Sequence, residues 1–259
     1  MAKAYFREAG SGPAVVCLHC SASTSGQWRP LMEQLAGRYR VIAPDLYGCG
    51  KSEPWPGERQ MWIDDQIAFL ASAFERAGER FHLVGHSYGG AIALKAALRF
   101  TARLKSLVLY EPVLFSVLLS AAPQSDAARE IVAVRNDVVS GDPEVAARRF
   151  IDYWMGGGTW AATPEARRAT LVDAVKGQKP EWHSAFNEPT PLEAFAALDV
   201  PTLLMTGTGS TAAARSVARL VGGVLPRVRV EEIEGLGHMA PVTHPGEINA
   251  RIERFLSHI

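Results

Sequence analysis

The sequence of 259 residues lacks the features that would assign it to several common classes of protein. Its charge is balanced, 27 Lys and Arg residues against 27 Asp and Glu residues, so no overall field favours nucleic acid or an acidic membrane. No run approaches the ~18 consecutive apolar residues of a membrane-spanning helix. The first residues lack the apolar core of a signal peptide. We therefore expect a cytoplasmic protein with neither nucleic acid nor membrane as a partner.

Cysteine is scarce and forms no evident framework. The three cysteines, Cys17, Cys20 and Cys49, are too few and odd in number for a disulfide scaffold. Cys17 and Cys20 lie close together, but no second pair of zinc ligands follows them. The sequence therefore implies no metal and no cofactor.

Short apolar runs bounded by turn residues recur along the chain and predict β-strands. They occupy residues 14–19, 39–45, 81–87, 104–111, 201–207 and 228–235. Helical patterns such as GGAIALKAALRF separate most of them. Because parallel strands need crossover connections, this alternation predicts an α/β fold with a mostly parallel, doubly wound sheet. Ligands bind at the carboxyl ends of the strands in such sheets, so functional residues are expected directly after each run.

One long segment interrupts the alternation. Residues 112–195 show helical patterns punctuated by Gly and Pro, without a strand pattern. The segment separates the strand that ends near Glu111 from the strand that ends near Gly207. We expect residues 116–195 to form a helical cap inserted over the strand ends, and residues 1–115 and 196–259 to form the core.

Residues 85–89, GHSYG, have the G-x-S-x-G pattern between a predicted strand and a predicted helix. Small residues are needed where a strand turns sharply into a helix, and the start of the helix directs N–H groups at the serine. An incidental serine in a glycine-rich turn is the alternative, but both pattern and context favour Ser87 as a nucleophile. His86 is its sequence neighbour and points elsewhere on a tight turn, so we expect a packed or surface histidine.

Four motifs together resemble the α/β-hydrolase superfamily over essentially the whole chain. They are LHCSAS after the first strand pattern, PDLYGCGKS after the second, GHSYGG around Ser87, and GLGHMAPVTHP near the C-terminus. The resemblance implies that the backbone N–H groups of Ser21 and Tyr88 bind an oxyanion, with Cys20 where glycine is usual. It also implies that His238, in a glycine-flanked loop, is the catalytic base.

The acid of the expected catalytic triad is missing from its usual place. The resemblance puts that acid at Ser210, and the loop TGTGSTAAAR at residues 206–215 contains no Asp or Glu. Glu111 directly follows the preceding predicted strand, and some members of the superfamily take their acid from that strand. We predict that Glu111 replaces the missing acid. The alternatives are a structural Glu111 beside a Ser-His dyad, or a site without activity.

Aromatic and apolar residues are frequent in the predicted cap and favour an apolar pocket for a small hydrophobic molecule. The predicted pocket residues are Cys20, Trp28, Phe115, Tyr153, Trp154, Trp160 and Met239. The resemblance implies a serine hydrolase that cleaves a small or medium hydrophobic ester, lactone or thioester through an acyl-enzyme. Alternatives are a hydrolase of carbon–carbon bonds, a cofactor-free perhydrolase, and a ligand-binding protein on a hydrolase scaffold. The sequence leaves both a monomer and a homodimer open.

Overall fold

A computed structural model describes residues 4–259, which contain a seven-stranded sheet. The strands are β1 (Phe6–Ala9), β2 (Ala14–Leu18), β3 (Arg40–Pro44), β4 (Phe81–His86), β5 (Leu104–Tyr110), β6 (Thr202–Gly207) and β7 (Val228–Ile233). Their order in the sheet is β1-β3-β2-β4-β5-β6-β7. β1 pairs antiparallel with β3, and the other neighbouring pairs are parallel. The predicted α/β fold with a mostly parallel sheet is confirmed.

Helices connect the strands and cover the sheet. They are α1 (Arg29–Leu35), α2 (Ile63–Phe69), α3 (Ala71–Arg76), α4 (Tyr88–Phe100), α5 (Phe115–Ala121), α6 (Asp126–Ser140), α7 (Pro143–Met155), α8 (Thr159–Ala162), α9 (Glu165–Gly177), α10 (Lys179–Asn187), α11 (Ala212–Val224), α12 (Ala240–Thr243) and α13 (Pro245–Leu256). Short 3-10 helices lie at Ser25–Trp28, Thr101–Arg103 and Leu192–Ala197. Among the helices of residues 4–259, none combines the length and the apolar character that crossing a bilayer demands.

Both faces of the sheet are buried. In β2, Val15 and Cys17 belong to one buried apolar cluster, and Val16 and Leu18 belong to the other. Successive residues of a strand point to opposite faces, so the two clusters lie on opposite sides of the sheet. All five residues of β2 are buried, which explains why this strand reads as an unbroken apolar run rather than an alternating one.

Two elements differ from the sequence-based expectation. β1 has no apolar run, because its four residues are all half-buried and include Arg7 and Glu8. It lies at the edge of the sheet, where charged residues are common and the strand pattern is weak. The stretch DDQIAFLASAFERAG at residues 64–78 has the pattern of one helix, but it is divided into α2 and α3 at Leu70, whose ψ of 4° interrupts the helix.

The segment between β5 and β6 contains helices α5–α10 and the 3-10 helix at Leu192–Ala197. α7, α9 and α10 contribute side chains to a cavity that Ser87 also lines, so these helices lie over the carboxyl ends of the strands. We refer to α5–α10 as the cap helices. The division of the chain into a core and a separate cap stays a prediction.

Candidate active site

Ser87 lies on the sharp turn between β4 and α4. Its backbone has φ 57° and ψ −120°, a strained combination for a residue with a side chain. Close backbone contacts surround the turn: a Cβ atom at Gly85 would lie 2.5 Å from the carbonyl oxygen of Gly89, and one at Gly89 would collide with the carbonyl oxygen of His19. The two glycines are therefore required for packing, and the turn presents Ser87 at a cavity wall.

The structure brings Ser87, His238 and Glu111 together at the carboxyl end of the sheet. His238 Nε2 lies 2.9 Å from Ser87 Oγ, and His238 Nδ1 lies 2.6 Å from Glu111 Oε2. All three side chains are buried, with Ser87 the most exposed at 5%. Because a carboxylate accepts the Nδ1–H proton, a neutral His238 presents the lone pair of Nε2 to the serine hydroxyl. These contacts suit proton transfer from Ser87 to His238.

Glu111 is held by donors from β6 and the loop that follows it. Thr206 Oγ1 and the Gly207 N–H each donate to Oε1 at 2.8 Å, and Ser210 Oγ donates to Oε2 at 2.6 Å. Burial opposes ionisation of Glu111. The hydrogen bond and charge of His238, with the hydrogen bonds of Ser210 and Gly207, nevertheless hold the pKa of Glu111 below its ordinary value. Ser210 thus donates to a carboxylate oxygen that also contacts the histidine.

The backbone of Glu111 is strained where β5 ends. Its φ of 44° lies in the left-handed region, which costs a glutamate about 1–3 kcal/mol. Its N–H donates to the carbonyl oxygen of Met205 at 3.0 Å, which fixes the turn against β6. The strained turn directs the carboxyl group to the end of β6, where it is fully buried.

His86 connects two loops of the site through its ring nitrogens. Its Nε2 donates to the carbonyl oxygen of His238 at 2.9 Å, and its Nδ1 accepts from Gln27 Nε2 at 3.1 Å. Gln27 Oε1 in turn accepts the N–H of Cys20 at 3.1 Å. Burial lowers the pKa of His86 to about 3, so the ring is neutral, as one donor and one acceptor nitrogen require. The network joins the loop after β2 to the loop that carries His238.

Ser21 and Tyr88 both line the cavity beside Ser87. Tyr88 is the first residue of α4, so its N–H has no acceptor within the helix. The N–H of Ser21 donates to no acceptor within residues 4–259, whereas the adjacent N–H of Cys20 is bonded to Gln27. The tight turn in this loop falls on Ala22, with φ 53°, and Cys20 avoids positive φ. Among residues 4–259, neither N–H group therefore has a hydrogen-bond acceptor, and both residues line the cavity.

The cavity beside Ser87 has a volume of about 220 Å³ and is largely apolar. Its aromatic walls are Phe115, Phe150, Trp154 and Trp182. Its other apolar residues are Cys20, Ala22, Val113, Ile151, Met155, Leu171, Ala185, Met239 and Val242. The ring of Trp154 lies 4.1 Å from that of His238, centroid to centroid, so the apolar wall extends to the His238 ring.

Four of the predicted pocket residues, Cys20, Phe115, Trp154 and Met239, line this cavity. Trp28, Tyr153 and Trp160 are not among the residues that line it. Trp28 lies on the other face of the sheet, in the buried cluster of Val15 and Cys17. Tyr153 stands edge-on to Trp154. Adjacent residues of α7 point about 100° apart, so Tyr153 faces a different direction from Trp154, which lines the cavity. Trp160 packs among the cap helices, with the Arg168 guanidinium 5.5 Å from its ring centroid.

The sequence-based reading missed two residues that contact the site. Glu181 of α10 is 4% exposed and lines the cavity, and Ser21 Oγ donates to its Oε2 at 2.5 Å. A signal was present in the sequence, because Glu181 shares the buried face of α10 with Ala185. Gln27 carried no such signal, since a polar residue before a helix is ordinary.

Residues 15–251 match the profile of the alpha/beta hydrolase family. A pimeloyl-[acyl-carrier protein] methyl ester esterase from Aeromonas hydrophila is 27% identical over 262 residues, or 95% of this chain and 96% of that protein. A 2-hydroxymuconate semialdehyde hydrolase from a Pseudomonas species is 42% identical over 103 residues, or 39% of this chain and 33% of that protein.

A solved structure resembles the chain along its whole length. The alpha/beta hydrolase from Sphaerobacter thermophilus superposes with a TM-score of 0.75 at 26% identity, covering 98% of this chain and 96% of that one. The sequence profile, the sheet topology and the strand-to-helix turn at Ser87 agree with it. The chain therefore belongs to the alpha/beta hydrolase family and is a hydrolase.

Proposed function

We propose that the protein is a serine esterase that cleaves small or medium hydrophobic esters, lactones or thioesters through an acyl-enzyme. The observation that carries this proposal is the continuous set of contacts from Ser87 through His238 to Glu111, at the wall of an apolar cavity. A nucleophile, a base and a group that orients the base, each within hydrogen-bond distance of the next, are what nucleophilic acyl transfer needs.

The reaction begins at Ser87. Its Oγ attacks the substrate carbonyl carbon while His238 Nε2 takes the hydroxyl proton. The carbonyl oxygen becomes an oxyanion and accepts the N–H groups of Ser21 and Tyr88, each worth roughly 3–4 kcal/mol in the transition state. The carbon–oxygen or carbon–sulfur bond to the leaving group then breaks, and His238 returns the proton to the departing alcohol or thiol. Water attacks the acyl-enzyme with His238 as base, which releases the acid and restores Ser87.

Glu111 is the acid of this mechanism. Its carboxylate accepts the Nδ1–H proton of His238, which fixes the ring orientation and stabilises the imidazolium formed during attack. Ser210 cannot supply the charge for this role, since a hydroxyl forms only a neutral hydrogen bond. It serves instead as a donor to Glu111, and together with Thr206 and Gly207 it favours the ionised carboxylate.

The cavity supports the proposed substrate class. Among residues 4–259, its lining is dominated by aromatic and aliphatic side chains and contains no Arg or Lys, so an apolar acyl or alcohol group is favoured over an anionic one. The relative from Aeromonas hydrophila is named as an esterase of a methyl ester, which is consistent with ester cleavage.

A second candidate is hydrolysis of a carbon–carbon bond. It is favoured by the 42% identity to a 2-hydroxymuconate semialdehyde hydrolase, although that match covers only 39% of this chain. Such a reaction would use the same serine and histidine. The two candidates differ in substrate, so direct assay separates them.

The test is pre-steady-state hydrolysis of p-nitrophenyl acetate, butyrate and octanoate, with the intact mass of the protein measured during turnover. We expect a burst of p-nitrophenol and an adduct of one acyl group on the wild type. Ser87→Ala should abolish both, and Glu165→Gln, an exposed change on α9, should leave both unchanged. Absence of turnover on all three esters, together with hydrolysis of 2-hydroxymuconate semialdehyde, would favour the second candidate.

A further inference from the structure

Glu181 is a buried carboxyl group for which the mechanism above has no role. It lies on α10, lines the cavity and is 4% exposed. Its Oε2 accepts a hydrogen bond from Ser21 Oγ at 2.5 Å. Ser21 is also the residue whose backbone N–H is proposed to bind the oxyanion. The Glu181 carboxyl group thus connects α10, a cap helix, to the loop that carries the Ser21 N–H.

The surroundings of Glu181 suit a neutral acid. The side-chain amide of Gln178 contacts both of its carboxyl oxygens, 2.6 Å from Oε2. Its nitrogen faces Glu181 and donates to Oε2, and Ser21 Oγ is a second donor to the same oxygen. Both donors are neutral, so neither offsets the cost of moving a full negative charge out of water.

Within the part of the chain that the structure describes, residues 4–259, no cation balances the Glu181 carboxyl group if it ionises. The titratable groups packed around it are Cys20 in the loop after β2, Cys49 in the loop after β3 and Tyr88 on α4. Burial raises the pKa of each of them, so all three are neutral near pH 8. The charged neighbours on α6 and α10 are engaged elsewhere: Arg135 lies 5.3 Å from the Phe186 ring centroid, and Lys179 donates to Val139. His238 lines the same cavity.

We propose that Glu181 is a positioning residue that must be neutral for catalysis: as an acid it holds Ser21 in place, and as a carboxylate it opposes the oxyanion. The inference rests on the proposed esterase function. A negative charge on the carboxyl group that contacts Ser21, in a largely apolar cavity, disfavours a second negative charge at the Ser21 N–H by roughly 10- to 100-fold. Catalysis then also depends on the protonation state of Glu181, which lies on a cap helix and does not itself react with the substrate.

The pH at which this ionisation occurs follows from burial. Desolvation raises the pKa of Glu181 to about 8, and the hydrogen bond from Ser21 opposes that rise. Glu181 is therefore neutral at pH 7 and ionised at pH 9.5. In Ser21→Ala the carboxylate of Glu181 loses the hydrogen bond from Ser21, so the pKa of Glu181 moves still higher.

The test is the pH dependence of kcat/KM for p-nitrophenyl butyrate between pH 6 and 9.5. In the wild type we expect a fall of about 8- to 25-fold from the neutral plateau by pH 9.5, because a group with a pKa of about 8 is about 97% ionised there and the ionised form keeps roughly 1–10% of the activity. The kcat/KM of Glu181→Gln, whatever its value at pH 7, should not fall between pH 7 and 9.5. Glu165→Gln should follow the wild type, since its side chain is exposed on α9. Thermal unfolding of each variant reports whether it is folded.

Ser21→Ala removes the other partner of the Ser21–Glu181 hydrogen bond and provides a second test if Glu181→Gln does not fold. It should lower the activity plateau and move the alkaline fall to higher pH. A wild-type profile that is flat to pH 9.5, or a fall that persists unchanged in Glu181→Gln, would overturn the inference and leave the esterase proposal intact. No ester turnover by the wild type at any pH would overturn the proposed function and this inference with it.

Discussion

Ser210 Oγ donates a hydrogen bond to Glu111 Oε2 at 2.6 Å, and the same oxygen lies 2.6 Å from His238 Nδ1. The serine at the expected acid position thus contacts a carboxylate that arrives from the neighbouring strand. Because β5 and β6 are parallel neighbours, their carboxyl ends lie side by side, and a group can be supplied from either. We propose that the acid of the triad is supplied after β5, by Glu111, instead of after β6, and that Ser210 supports it with a hydrogen bond.

Removal of the Ser210 hydroxyl should weaken the site without destroying it. Ser210→Ala removes one donor from Glu111, which raises the pKa of that carboxyl and loosens its orientation. We expect kcat/KM for p-nitrophenyl butyrate to fall about tenfold, as for loss of one hydrogen bond to a charged group. Ser257→Ala, at an exposed serine of the C-terminal segment, is the control. Activity equal to that of the wild type would show that Ser210 does not support Glu111.

Loss of Gln27 should lower kcat and leave KM unchanged. Gln27→Ala breaks the link from Cys20 to His86, and hence to the carbonyl group of His238. Gln27 does not line the cavity, so substrate binding is preserved, while the groups that react lose alignment. We expect kcat to fall about tenfold for one or two lost buried hydrogen bonds.

Steady-state kinetics of Gln27→Ala beside Gln34→Ala, an exposed glutamine on α1, measure this effect. A rise in KM at constant kcat would contradict the positioning role, because it would mean that the network shapes the cavity instead.

Two helical glycines should respond oppositely to alanine. In Gly89→Ala the new Cβ atom would collide with the backbone carbonyl oxygens of Leu18 and His19, and backbone cannot yield cheaply. We expect the free energy of unfolding to fall by about 3 kcal/mol. Gly223→Ala on α11 meets nothing within 4 Å and should raise it by about 0.5 kcal/mol. Urea denaturation of both variants checks the pair, and equal effects would refute the close approach at the strand-to-helix turn.

Two buried carboxyl groups should give stability contributions with opposite pH dependence. Glu181 has a raised pKa, so its contribution is fully present below the ordinary value of 4.5 and is lost as the pH rises through about 8. Glu111 has a lowered pKa, so its contribution is present above 4.5 and is lost as the pH falls through its folded-state pKa.

Chemical denaturation of the wild type, Glu181→Gln and Glu111→Gln between pH 3 and 9 measures both effects. Relative to the wild type, Glu181→Gln should gain stability as the pH rises, and the deficit of Glu111→Gln should shrink in acid. A pH-independent difference for either variant would contradict the shift assigned to that residue.

Much of the site could be expected from the sequence, because its groups follow strand ends. Ser87 sits in a local motif, His238 follows the last strand pattern, and Glu111 was predicted from the lack of a carboxylate near Ser210. A short stretch of sequence is enough to place each of these residues, because a residue that directly follows a strand lies at the carboxyl end of that strand. The edge strand β1 was missed because half-buried, charged residues give no apolar run.

The contents of the pocket depend on packing between distant segments. Trp28 and Tyr153 are aromatic residues near the right elements, yet they point to the opposite face of the sheet and away from the cavity. Glu181 contacts Ser21, which is 160 residues away in the sequence, and no local sequence pattern predicts that contact. Aromatic composition indicates that an apolar cavity exists, but the orientation of each helix decides which side chains line it.

The relocation of the acid is tested most directly by kcat/KM of Glu111→Gln, alone and combined with Ser210→Asp. Glu111→Gln should lose on the order of 10⁴-fold, as for loss of the acid of a serine triad. Ser210 Oγ is one hydrogen bond from the carboxylate oxygen that contacts His238, so an aspartate there should restore at least about 100-fold of the loss. Wild-type activity in folded Glu111→Gln would contradict the account and leave Ser87 and His238 acting as a dyad.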